Sequence, residues 1–140
     1  MRWGSVRMAG CSAQPRDFII ASMFNEIVLA HFRNPHNAGD LPGAGSVVEV
    51  TNPVCGDILR LSVRVENGVI SAARFKTQGC VAAIASSSML TDLLIGKSML
   101  EAPKITAEQI SAALGGLSPE TFHAAHLCSD AIEATLLKLS

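Results

Sequence analysis

The chain has 140 residues, 49% of them hydrophobic and 16% charged, with a formal net charge of −1. That length serves one core and not two ordinary domains, and that composition excludes a disordered chain. With no tyrosine and no basic stripe interleaved with aromatics, nucleic acid is not an expected partner.

The longest unbroken apolar run, Cys80 to Ala85, is far too short to span a bilayer, so no membrane is expected. Residues 1–22 hold no apolar stretch long enough for a signal core. Four cysteines in such a chain read as free thiols in a reducing, cytoplasmic setting and not as a secreted disulfide scaffold. Residues 1–22 lack periodicity and are expected to be a disordered extension, which sets Cys11 aside; residues 23–140 are expected to form the folded domain.

Met23 to Phe32 reads as a short helix, with Phe24, Ile27, Val28 and Phe32 at helical spacing. The run Arg33-Asn34-Pro35-His36-Asn37-Ala38-Gly39 ends it. Ser46 to Thr51 is a valine-rich strand. Ile58 to Glu66 alternates, with Leu59, Leu61, Val63 and Val65 on one face and Arg60, Ser62 and Arg64 on the other. Asn67-Gly68 is a two-residue hairpin turn, and Val69 to Thr77 returns with Ala73 and Phe75 inward. Cys80 to Ile95 is a helix ending at Gly96. Thr106 and Gln109 form a capping box for a helix from Ala107 to Leu114. Ser118-Pro119 is a further start signal, and one or two helices run from it to Leu139. The fold class expected is α+β: a small three-stranded antiparallel sheet packed against several helices.

Three cysteines stand out on this plan. Cys55 lies before the second strand, Cys80 between the third strand and the long helix, and Cys128 among the last helices. The start of one hairpin strand and the end of its partner share an edge of the sheet, so Cys55 and Cys80 are neighbours by hairpin geometry. Only Cys128 needs the tertiary fold to join them. Gly56 follows Cys55 and Gly79 precedes Cys80, each allowing positive φ or close approach. Cys80 also stands near a helix start, where the dipole favours a thiolate. Taken singly, each cysteine suits a buried structural role. Taken together they suit a soft metal, zinc or an iron–sulfur cluster. Asp57 reads equally as a turn cap and as an oxygen ligand. His123 and His126 read as exposed helix histidines, and His31 and His36 as complements to a helix C-terminus. Gly96-Lys97-Ser98 is not a phosphate loop, because it ends a helix instead of opening one.

Cys55-Gly56-Asp57, Thr77-Gln78-Gly79-Cys80, Ala83-Ile84-Ala85-Ser86-Ser87-Ser88, Gly96-Lys97-Ser98 and a late cysteine together resemble the IscU/NifU-like (SufU-like) iron–sulfur scaffold family. Asn34-Pro35-His36-Asn37-Ala38-Gly39 is similar to its Asn-Pro-Arg-Asn-x-Gly segment. The resemblance implies the SufE/NifU-like sandwich. It implies a scaffold or sulfur acceptor in preference to an enzyme. Such a protein takes sulfur from a cysteine desulfurase, binds iron, holds a transient [2Fe–2S] cluster and passes it to apo-proteins. Cys55, Asp57, Cys80 and Cys128 would be the ligands, Asp57 would keep the cluster labile, and zinc would be the alternative occupant. Two departures stand out: the IscU branch places a histidine immediately before its third cysteine, where this chain has Leu127, and its Leu-Pro-Pro-Val-Lys chaperone signal is replaced by Thr121-Phe122-His123-Ala124-Ala125. The alternative reading is a zinc-dependent sulfurtransferase partner carrying persulfide on Cys128. A monomer or weak oligomer is expected.

Overall fold

Asn25 starts the first helix because its side chain accepts the Val28 N–H at 2.9 Å. In this computed structural model, which describes residues 25–52, 56–119 and 121–139, that helix is α1 (Glu26–Arg33). Its predicted opening at Met23 and Phe24 lies outside the described residues, as do Cys11 and Cys55.

The sheet follows the alternation of the sequence. Strands β1 (Ser46–Thr51), β2 (Ile58–Glu66) and β3 (Val69–Gln78) pair antiparallel in the order β1-β2-β3. Asn67 and Gly68 turn the hairpin at φ 56° and 77°, and a register shift follows Arg64. Leu59, Leu61, Val63, Ala73 and Phe75 are buried on one face, as their spacing predicts. On the other face Lys76 reaches Asp40 at 2.8 Å, and Arg60 lies between Asp40 and Glu49.

Helix α2 (Val81–Leu94) covers the apolar face, with Cys80 as its N-cap residue and Ile95 as its C-cap. It is buried nearly all round, so its hydroxyls look for partners inside, and all but Ser86 Oγ have one. Ser87 Oγ donates to Ala83 O at 2.7 Å and receives the Thr77 hydroxyl at 2.8 Å. A 3₁₀ turn at Ala102–Lys104 leads to α3 (Ala107–Ala113), whose predicted capping box is present.

The last helix begins later than its start signal. Ser118 and Thr121 close a turn on each other, through the Thr121 N–H to Ser118 O at 3.0 Å and between their hydroxyls at 3.0 Å. Only then does α4 (His123–Leu139) start. Its first residue is therefore His123, at the edge of the sheet where β2 begins and β3 ends.

Candidate metal centre

Pairing of Ile58 with Gln78 brings the residue before β2 beside the residues after β3. Asp57 and Gly79 meet there so closely that a Cβ on Gly79 would overlap the Asp57 carboxylate, lying 2.7 Å from its Cγ. Gly79 is thus needed for close approach, whereas Gly56 is needed for its φ of +73°. The chain before Asp57 is tied by Gly56 N–H to Asn52 O at 2.7 Å and Asn52 N–H to Asp57 O at 2.8 Å.

Asp57 is buried, 3% exposed. Its Oδ2 accepts from the Cys80 Sγ at 3.7 Å and lies 3.9 Å from His123 Nε2. One donor atom from each of Asp57, Cys80 and His123 lies within 4.8 Å of the others. Sulfur, nitrogen and oxygen converge from three elements: the lead-in to β2, the N-cap of α2 and the first turn of α4. That donor set suits zinc or iron–sulfur chemistry and not calcium or magnesium.

The Cys80 thiol titrates above its ordinary range. Desolvation is the largest cause and the Asp57 charge adds to it, outweighing the Ala83 and Ala82 N–H groups at the helix start. The thiolate-favouring effect expected of a helix N-terminus is present, but burial wins. Ligation must therefore displace a proton from this sulfur.

Cys128 does not join the group. It is fully buried in the main core, among residues that include Leu127, Ala131 and Ile132. Burial pushes its thiol up to about 12, against a hydrogen bond with Ser87. The thiol expected as a third ligand thus lies in the core of this structure and not at the rim. His123, read from sequence as an exposed histidine, is the residue of α4 that reaches the site, while His126 is exposed as expected. Positions five apart stand about 140° apart around an α-helix, so His123 and Cys128 could never both face one ion. That spacing was the signal available in the sequence.

Ala124, next in the chain to His123, is buried with Ala82 and Ala83 against Cys80.

Replacing Gly79 with alanine is expected to push the Asp57 carboxylate out of place. The overlap should cost about 1–3 kcal/mol of stability, read as a lower urea midpoint. Zinc affinity should fall about tenfold or more, a loss of about 1.4 kcal/mol, by calorimetric titration. Unchanged zinc affinity would remove Asp57 from the centre.

A model of the NifU-like N terminal domain matches residues 23–140. Iron-sulfur cluster assembly scaffold protein IscU 1 of Archaeoglobus fulgidus is 41% identical over 115 residues, covering 82% of this chain and 75% of that protein. The iron-sulfur cluster assembly scaffold protein IscU of Aquifex aeolicus is 46% identical over 106 residues, covering 74% and 68%. The crystal structure of a nitrogen-fixing NifU-like protein (N-terminal) from Brucella abortus shares the fold at a TM-score of 0.58 and 20% identity, over 86% of this chain and 85% of that one. With a match that runs from the first helix to the last residue, the chain belongs to the NifU-like N-terminal domain family.

Proposed function

We propose that this protein is an iron–sulfur cluster assembly scaffold that builds a transient [2Fe–2S] cluster at the Asp57–Cys80–His123 rim and gives it up to apo-proteins. The observation that carries the reading is the convergence of a thiol, a carboxylate and an imidazole within 4.8 Å at one edge of the sheet. The relatives named as cluster assembly scaffolds support it. Cys55, two residues before Asp57, supplies the second thiolate. The ligand set is then Cys55, Asp57, Cys80 and His123, with Cys128 left in the core.

Such a set suits release as well as assembly. Two thiolates hold the soft irons, while a hard carboxylate oxygen at Asp57 holds less firmly than sulfur. The burial of Asp57 keeps its charge close to the metal and out of water. Sulfur comes from a donor, a cysteine desulfurase, and the cluster leaves to recipient apo-proteins. Zinc fits the same donors when no cluster is present. Sulfur relay through Cys128 is the less favoured reading, because that thiol is enclosed and protonated at neutral pH. A reducing, cytoplasmic compartment goes with the scaffold reading, since its thiols must stay reduced. Among the described residues no helix is long and apolar enough to cross a membrane.

Anaerobic reconstitution with ferrous iron, cysteine, a cysteine desulfurase and a thiol reductant, which supplies the two electrons per cluster that the ferrous ions do not, tests this. The expected product absorbs in the visible and contains iron and acid-labile sulfide in equal amounts, and Cys80→Ala abolishes both. A colourless protein that keeps zinc against excess iron would overturn the reading.

A further inference from the structure

The far end of α2 carries a second group of metal-ligating side chains. His31 near the end of α1, His36 in the turn beyond it and Asp92 near the end of α2 each place a donor atom within 4.8 Å of the other two. From sequence the histidines read as complements to a helix C-terminus. Their contacts are with α2 instead. His31 is 7% exposed and its Nδ1 lies 2.7 Å from Ser88 Oγ. His36 Nδ1 lies 2.6 Å from Asp92 Oδ2, and the two rings sit 4.5 Å apart.

We infer that His31, His36 and Asp92 form a second, thiol-free site for a divalent transition cation such as Zn²⁺ or Fe²⁺. Two imidazoles and one carboxylate, with positions left for water, are a donor set that zinc and ferrous iron accept and that calcium and magnesium do not favour. Bond lengths of about 2.0–2.2 Å put two donors on one ion at most about 4 Å apart. The group therefore has to close by under about 1 Å. His36 and Asp92, with side chains 53% and 35% exposed, have the freedom to do so.

The surroundings hold the donors in place. His31 Nδ1 pairs with Ser88 Oγ; the tautomer that donates Nδ1–H there leaves the lone pair on Nε2, the arrangement in which a ligating histidine is oriented by its second nitrogen. The same Ser88 hydroxyl receives the His36 backbone N–H at 2.8 Å. Asn37, at φ 58°, points its side-chain amide at Thr91 Oγ1 at 3.2 Å and at Asp92 Oδ1 at 3.4 Å. The resembled family segment carries arginine at the place of His36, which would pair with Asp92 but ligate nothing.

This site is separate from the cluster rim. Cys80 and Asp92 bracket α2, and at about 1.5 Å per residue they stand roughly 18 Å apart along it. The inference does not rest on the scaffold reading, and either can fail alone.

Anaerobic Co²⁺ titration of the untagged, full-length protein tests it. Two equivalents are expected to bind: one with intense near-ultraviolet thiolate-to-cobalt absorption, the other with weak visible bands only. Cys80→Ser should weaken the thiolate absorption and keep the second equivalent. His36→Gln and Asp92→Asn, both at part-exposed positions, should keep the thiolate absorption and weaken the second equivalent at least tenfold. Zn²⁺ stoichiometry by mass spectrometry under native conditions should show the same split. A wild-type protein whose only bound equivalent shows thiolate absorption, or a thiol-free equivalent bound unchanged in both variants, would overturn the inference; a single equivalent with weak visible bands only, weakened in both variants, would support it and count against the rim alone.

Discussion

Cys128→Ala is expected to leave cluster uptake within about twofold of wild type while lowering the stability of the metal-free protein by about 1 kcal/mol, the scale of a small deletion in a packed core. The argument is spatial first: the sulfur is enclosed in the core and faces Ser87, two turns of α2 beyond the Cys80 cap. It is electrostatic second. Below pH 9.0, the ordinary thiol value, folded and unfolded chains both hold the proton. Above it the unfolded chain releases the proton, and the folded chain keeps it until about pH 12. The contribution of this group is therefore complete below pH 9 and is lost as pH rises through that window, by about 1.4 kcal/mol per pH unit. Urea unfolding of wild type and Cys128→Ala from pH 8 to 10.5 checks it, since the difference between them removes the shared lysine titrations. The variant should show the shallower alkaline loss. Parallel curves, together with loss of cluster uptake in the variant, would return Cys128 to the centre.

Ala124→Cys is expected to lengthen the life of the reconstituted cluster by about tenfold or more, equivalent to 1.4 kcal/mol or more of added hold. Ala124 packs with Ala82 and Ala83 against Cys80, next in the chain to His123. A thiol there adds a soft donor beside the two thiolates and competes with the Asp57 oxygen. The extra sulfur costs about 1–3 kcal/mol in a filled site, so a lower melting temperature of the apo-protein should accompany the gain. Decay of the visible absorption after adding a chelator measures the effect, and transfer to an apo-protein should slow in step. An unchanged decay would mean that position 124 does not face the cluster.

The sheet was legible because its signals are local. Alternation from Leu59 to Val65 sets which face is apolar, and Asn67-Gly68 sets the register of the hairpin, with φ positive at both residues. The adjacency of Asp57 and Cys80 follows from that register, since one precedes β2 and the other follows β3. The capping box at Thr106 and Gln109 was equally readable, because both partners lie within one turn. At Ser118-Pro119 the start signal misled: the Ser118–Thr121 turn intervened and moved the helix start to His123.

What the sequence by itself determined is the hairpin, the helix after it and hence a thiol beside a carboxylate at one edge, because these depend on neighbours in the chain. What only the tertiary structure decided is which residue of α4 completes that edge, how readily Cys80 ionises, and that His31 and His36 meet Asp92. Each depends on how separate elements pack. The rotation of α4 is set by burying Leu127, Cys128 and Ile132 together in the core, and that burial turns His123 toward Asp57. A helix placed by its apolar face takes its polar residues wherever the phase carries them.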